Sequence, residues 1–178
     1  MISGEFFWTA ITTAIFIALL IILQIVTAPF GNMLITGSIV NLLLIVSVMT
    51  CGLSSGIIVS LFSPIMAKFF GIGSLWSIIP FIVLGNMALN VIWYFIGQKT
   101  KLKQFTAYTI ALLVAAAAKF IVLYFGIVKL TVPILLKLPE RQAVLISGMF
   151  SFPQLITAVI GGVMAIILLP MLQRGIRR

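Results

Sequence analysis

Long, continuous apolar runs are the feature of this sequence that most restricts its fold. The first run covers residues 6–28 and contains no charged side chain. Hydrocarbon offers no water to backbone amides, so a membrane-spanning segment must be a helix or a strand of a closed barrel. Barrel strands alternate apolar and polar residues, whereas these runs do not alternate. The sequence therefore predicts an all-α integral membrane protein.

Composition indicates the same class. Of the 178 residues, 63% are hydrophobic and 7% are charged, whereas about a quarter of the residues in ordinary soluble domains are charged. Residues 1–5 contain no Lys or Arg, so we expect the first run to be a spanning helix and not a cleavable signal peptide. The sequence contains no glycine-rich phosphate loop, so any ATP hydrolysis is expected in another chain.

Six predicted helices make up a single transmembrane domain over residues 1–178. A spanning helix needs about 20 apolar residues, and fewer where the bilayer thins. Glycine, proline and polar residues divide the apolar sequence into segments 6–28, 36–51, 57–70, 76–96, 105–128 and 143–172. The second and third segments are short and could instead form one re-entrant hairpin, so the pattern indicates five or six crossings.

The basic residues predict orientation in the membrane and not nucleic-acid binding. The net charge is +9, but the 11 Lys and Arg residues are spread over loops and the C-terminus without a basic groove. With six crossings, linker 97–104 and tail 173–178 lie on one side, which then carries six basic residues against four. The positive-inside rule therefore places both termini in the cytoplasm. We expect the protein to lie in the cell membrane, with its basic residues near anionic lipid head groups.

Polar residues within the apolar segments are the candidate ligand-binding groups. Such residues are costly in a bilayer and usually face a cavity or a partner. An outward-facing cup lined by amides and one ammonium group could bind a small polar ring or a carboxylate. The amides could instead join neighbouring helices, and the lysine could extend towards the membrane surface. The candidate binding residues are Asn41, Asn86, Asn90, Lys119, Tyr124 and Gln154.

Residue types that are missing argue against catalysis. The sequence has no histidine, a single cysteine (Cys51), and only two carboxylates, Glu5 and Glu140, outside or at the margins of the predicted helices. General bases and common metal ligands are therefore lacking. We expect neither an enzyme nor a metal or cofactor site. A secondary carrier driven by ions would also usually keep an ionisable relay in the membrane.

Rows of small residues mark surfaces where helices can approach each other closely. Such close packing drives helix association in lipid. Each row could pack within this chain or against another protein. The rows are Ala10, Ala14 and Ala18; Gly52, Gly56 and Ser60; and Gly161, Gly162 and Ala165.

Several of these segments together carry a family resemblance. They are the alanine row of the first helix, segments 37–41 (GSIVN), 84–86 (LGN) and 151–154 (SFPQ), and the glycine pair at 161–162. Over its whole length the chain resembles the substrate-binding S components of energy-coupling factor (ECF) transporters. These are small membrane proteins of vitamin uptake in prokaryotes.

The resemblance implies a division of labour between chains. The S component binds its vitamin at the outer face, associates with a transmembrane coupling subunit and two cytoplasmic ATPases, and reorients in the bilayer to release the vitamin inside. Ala10, Ala14 and Ala18 match the family's docking surface for the coupling subunit. The loop at residues 29–36, which includes Gly31, Asn32 and Met33, is expected to close over the site as a lid.

The nature of the substrate is left open between two chemistries. A permanent cation would favour a carboxylate in the site, and cobalt or nickel would need His or carboxylate ligands, so both are disfavoured. A pyridoxine- or hydroxymethylpyrimidine-like ring would suit the amides, whereas a pantothenate-like carboxylate would suit Lys119. A self-sufficient secondary carrier and a non-transport membrane scaffold are the alternative functions.

Overall fold

The computed structural model describes residues 4–72 and 75–176, and their side chains from 6 to 72 and from 75 to 172. These residues form helices and connecting turns without any strand. Five of the helical stretches are long and apolar enough to cross a membrane, and Leu53–Phe69 is a shorter apolar helix. The prediction of an all-α membrane bundle of about six helices is confirmed.

The helices follow one another through short connections. A π-helical segment, Trp93–Gln98, extends the fourth helix, and a second one, Tyr124–Leu136, extends the fifth. Short 3-10 turns, Ala28–Phe30 and Trp76–Ile78, precede the second and fourth helices. The seven α-helices are α1 Gly4–Thr27, α2 Met33–Cys51, α3 Leu53–Phe69, α4 Ile79–Ile92, α5 Gln104–Leu123, α6 Glu140–Met149 and α7 Phe152–Ile176.

The connection between α1 and α2 is shorter than predicted. Helix α2 begins at Met33 because the Asn32 side chain caps it, accepting a hydrogen bond from the Leu34 amide at 2.9 Å. Gly31 has a φ of 62°, a left-handed conformation that favours glycine. The assignment of Met33 to the loop is therefore wrong, and the irregular part consists of Gly31 and Asn32.

Helices α2 and α3 are separate and pack against each other across a turn at Gly52, whose φ is 87°. At a rise of 1.5 Å per residue they are about 28 and 26 Å long. These lengths are close to the roughly 30 Å of a bilayer's hydrocarbon core. By length both helices fit a crossing.

The second half of the chain differs from the prediction at two boundaries. The fifth helical stretch continues to Leu136 instead of ending at 128, because the backbone widens into π-helical turns. There the Thr131 hydroxyl donates to the Gly126 carbonyl at 2.7 Å. The predicted helix 143–172 is divided at Phe150 and Ser151 into α6 and α7. Helix α6 contains no buried residue.

Two groups of buried apolar side chains form the interior. The larger group includes Leu44, Leu89 and Trp93 and fills the part of the bundle nearest the 98–104 connection. The smaller group lies towards the opposite end and consists of Ile78, Leu123, Ile127, Val132 and Phe150. Lys119 lies on α5 between Ala116 of the first group and Leu123 of the second. The two apolar regions therefore enclose a polar layer.

The three rows of small residues have different environments. A Cβ at Gly56 would lie 2.6 Å from the Val48 Cβ, and one at Gly161 would lie 2.6 Å from the Ser38 carbonyl oxygen. These rows pack against other helices of this chain. Ala10, Ala14 and Ala18 are all exposed on α1.

Candidate ligand-binding site

Lys119 joins three helices through its ammonium group. Its Nζ donates hydrogen bonds to Asn41 Oδ1 on α2 at 2.6 Å and to Asn86 Oδ1 on α4 at 2.7 Å. All three side chains are buried, with Lys119 only 3% exposed. A buried polar group is tolerated when its hydrogen bonds are made, so this arrangement holds the ammonium in the membrane interior.

A second layer of hydrogen bonds connects this cluster to α7. The Asn41 Nδ2 donates to Thr157 Oγ1 at 3.3 Å, and the Thr157 hydroxyl donates to the Gln154 carbonyl at 3.0 Å. The close approach of α2 and α7 depends on Gly161, because a Cβ there would lie 2.7 Å from the Asn41 Cβ. The position of Asn41, and with it one of the two acceptors for Lys119, therefore depends on a glycine of α7.

The electrostatic environment of Lys119 is unusual in that both observed acceptors are neutral amides. An ammonium has three donors, and the two amide oxygens engage two of them. Glu140 is the one carboxylate whose side chain the structure describes, and it is exposed in the first turn of α6. Within the described residues, no carboxylate lines the space around Lys119.

A cavity of about 180 Å³ lies against this cluster. Its polar wall includes Asn41, Asn86 and Lys119, and its apolar wall includes Ile82 and Leu123. Such a mixture of apolar walls and a few convergent polar groups is typical of sites for small molecules. The remaining lining residues are Gln24, Met33, Thr36, Gly37, Val40, Ser63, Pro64, Ala67, Ile72, Ile79, Met149, Phe150 and Gln154.

The cavity lies towards one end of the bundle. Gln24 is near the end of α1, Met33 begins α2, Ile72 follows α3, and Ile79 begins α4. These residues flank the connections that follow the first and third helices. Successive helices run in opposite directions, so the basic 98–104 connection lies at the other end. The cavity and the basic 98–104 connection therefore lie towards opposite ends of the bundle.

Four of the six predicted binding residues are brought together at this cavity. Asn41, Asn86, Lys119 and Gln154 all line it. The Gln154 side chain also donates through Nε2 to the Met149 carbonyl at 3.2 Å, where α6 gives way to α7. Of the predicted lid residues, Met33 lines the cavity, whereas Gly31 and Asn32 are not among its lining residues.

Asn90 and Tyr124, the other two predicted binding residues, do not line this cavity. Asn90 is one helical turn beyond Asn86, where its Nδ2 donates at 2.9 Å to both the Gly56 carbonyl and Ser60 Oγ on α3. Tyr124 stacks on Phe120 with ring centroids 5.6 Å apart. These two side chains contribute to helix packing.

Several lining residues were not predicted from the sequence. Gln24 on α1 is 8% exposed, and its Oε1 has no hydrogen-bond partner among the described residues. It is the one amide in the first apolar run, a signal that could have identified it. Ser63 and Phe150 carry no such signal, because serine and phenylalanine are common in the apolar segments.

Comparison with known proteins gives no family assignment. The chain matches no protein-family model, no curated protein and no solved structure. A function is therefore inferred from three features of the structure. They are the cavity, its buried cluster of one ammonium and two amides, and the exposed face of α1.

Proposed function

We propose that this chain is the substrate-capture subunit of an ATP-driven importer of the ECF type. In this proposal it binds a small vitamin or vitamin precursor at the outer face and delivers it by reorienting on a coupling subunit. The observation that carries the proposal is the polar cavity formed by Lys119, Asn41 and Asn86 within an apolar helical bundle.

The size of the cavity supports a small ligand. An engineered apolar cavity of about 150 Å³ binds benzene, so the roughly 180 Å³ observed here fits a single ring with a short substituent. Pyridoxine-like and hydroxymethylpyrimidine-like molecules are of this size class. A longer pantothenate-like molecule would require the cavity to widen, for example by movement of α6, which has no buried residue.

The face of α1 supports a protein partner within the membrane. Helix α1 contributes the least buried of the five long apolar spans, and Ala10, Ala14 and Ala18 form an exposed row of small side chains on it. Small residues allow another helix to approach closely in lipid. This face is the proposed docking surface for a transmembrane coupling subunit, which in turn recruits two cytoplasmic ATPases.

The location of the cavity is consistent with capture from outside. Both termini and the basic 98–104 connection are proposed to be cytoplasmic by the positive-inside rule. The cavity then lies in the half of the bundle nearer the outer face of the cell membrane.

The proposal is tested by ligand-dependent thermal stabilisation of the detergent-purified chain, followed by co-purification with coupling subunit and ATPases. A ligand at 100 times its Kd stabilises the folded state by about 2.7 kcal/mol. We expect one member of a panel of water-soluble vitamins and precursors to raise Tm clearly, and the complex to import it only with ATP.

Uptake into ATP-free proteoliposomes under an ion gradient would instead identify a secondary carrier. A folded protein that neither binds the panel nor assembles with ATPases would support a scaffold.

A further inference from the structure

We infer that the cavity selects a small monoanion, a single-ring carboxylate whose charged oxygens contact Lys119. This inference rests on the proposed capture function and narrows it to one ligand chemistry. It concerns the charge of the ligand group that contacts Lys119 Nζ in the cavity that Lys119 lines together with Asn41 and Asn86.

The first step is the charge balance of the site. Lys119 is buried, and the acceptors observed for it are the uncharged amide oxygens of Asn41 and Asn86. Amide dipoles stabilise an ammonium only in part, and a buried charge is strongly favoured by a partner of opposite sign. None of the described residues that line the cavity is acidic. A ligand carboxylate would supply the missing charge.

The second step is hydrogen-bonding geometry. With two N–H groups of Lys119 directed to amide oxygens, the third remains for an acceptor in the cavity. A carboxylate oxygen is the stronger acceptor, since charge-assisted hydrogen bonds are roughly twice as strong as neutral ones. Asn41 and Asn86 thus position the ammonium, and the ligand completes its set of hydrogen bonds.

The third step is the shape and polarity of the remaining walls. Ile79, Ile82, Leu123 and Phe150 provide apolar surface for a ring. The Gln24 and Gln154 amides offer hydrogen-bonding groups to ring nitrogen or hydroxyl substituents. With about 180 Å³ available, the cavity accommodates one ring and one carboxylate.

A matched pair of probes isolates the charge. Pyridine-3-carboxylate and pyridine-3-carboxamide have the same ring and nearly the same shape, and differ by one negative charge. We expect calorimetry on the purified chain to give an affinity at least about 10-fold higher for the carboxylate, as charge-assisted pairing predicts. Equal affinities, or a preference for the carboxamide, would overturn the inference and leave the capture function standing.

Two variants test the role of Lys119 in different ways. Lys119→Met removes the charge while keeping an unbranched chain, and Asn86→Asp supplies an internal counter-charge at the atom that now lies 2.7 Å from Nζ. Both should weaken carboxylate binding at least about 30-fold, the scale for loss of a buried charge partner. The loss should be clearly larger for the carboxylate than for the carboxamide, and a cooperative thermal unfolding transition of each variant shows independently that it is folded.

Lys129→Met is the control for general loss of positive charge. Lys129 is exposed, with its ammonium 5.5 Å from the centre of the Tyr124 ring, and is not a lining residue of the cavity. Its removal should leave the carboxylate preference unchanged. A loss of preference equal to that of Lys119→Met would overturn the inference, because a diffuse field would then explain it.

The outcome also separates this inference from the proposed function. Binding of the carboxylate by a chain that never assembles with ATPases would support the anion site and contradict the importer role. If neither probe binds the folded chain, the inference is overturned, and assembly with the coupling subunit then decides the importer role independently.

Discussion

Lys119 Nζ and Asn86 Oδ1 lie 2.7 Å apart on adjacent helices, and both side chains are buried. Helices α4 and α5 are packed along their lengths, and this hydrogen bond places the ammonium against the cavity wall. The pair is therefore a structural link between two helices as well as part of the candidate binding site. The two roles can be measured separately.

Replacement of Asn86 by leucine should destabilise the free protein. Leucine has a similar volume but removes one of the two amide acceptors of Lys119, and a hydrogen bond to a charged group contributes about 1.5–3 kcal/mol. The free energy of unfolding in detergent should fall by that amount. In a Lys119→Met background the same substitution should have little effect, because the group that needs the acceptor is gone. Additive losses in the double variant would show that the two residues are not coupled.

Replacement of Gly161 by alanine should destabilise the bundle because the added Cβ has no space. It would lie 2.6 Å from the Ser38 carbonyl oxygen and 2.7 Å from the Asn41 Cβ. Overpacking of this kind costs about 1–3 kcal/mol, and displacement of Asn41 should also weaken ligand binding. The measurements are thermal unfolding and ligand affinity.

Gly148→Ala is the matched control for this substitution. Gly148 lies in α6, and an added Cβ there meets no atom within 4 Å. Alanine is favoured over glycine in helices by up to about 1 kcal/mol, so Tm should stay the same or rise. Equal destabilisation at both positions would contradict the close-packing explanation for Gly161.

Replacement of Ala14 by leucine should impair assembly without unfolding the chain. Ala14 is exposed on α1, so the larger side chain has room in the free protein but would block close approach of a partner helix. We expect reduced co-purification of the coupling subunit, with ligand affinity and Tm unchanged. Ala117→Leu, at an exposed position on α5, is the control and should leave assembly intact. If the two variants assemble equally well, α1 is not the docking surface.

Replacement of Asn90 by alanine should reduce stability but not ligand affinity. Its Nδ2 bonds to the Gly56 carbonyl and to Ser60, both at 2.9 Å, and it does not line the cavity. Loss of these buried hydrogen bonds costs about 1–3 kcal/mol. The affinity for a stabilising ligand should remain within about 2-fold. A large drop in affinity with unchanged stability would show that Asn90 belongs to the binding site, as the sequence predicts.

The sequence predicted the helical segments well where apolar runs end at sharp breaks. It failed at 129–136, where π-helical winding continues the helix beyond the predicted end at 128 and accommodates Pro133. It also failed at Phe150 and Ser151, where the helix breaks within a region predicted to be continuous. Such irregular backbone turns are stabilised by packing against the surrounding helices. The local sequence therefore does not reveal where they occur.

By itself the sequence determined that this is an apolar, all-helical protein with a few polar side chains in its interior, because the solvent preference of each segment is a local property. It also identified Asn41, Asn86 and Lys119 as candidates one by one. Only the tertiary structure decided that they form one cluster, since Lys119 contacts residues 78 and 33 positions away in the chain. The tertiary structure likewise assigned different roles to Asn86 and Asn90. Asn86 faces the cavity and Asn90 faces the backbone of α3, because a different helix packs beside each of them.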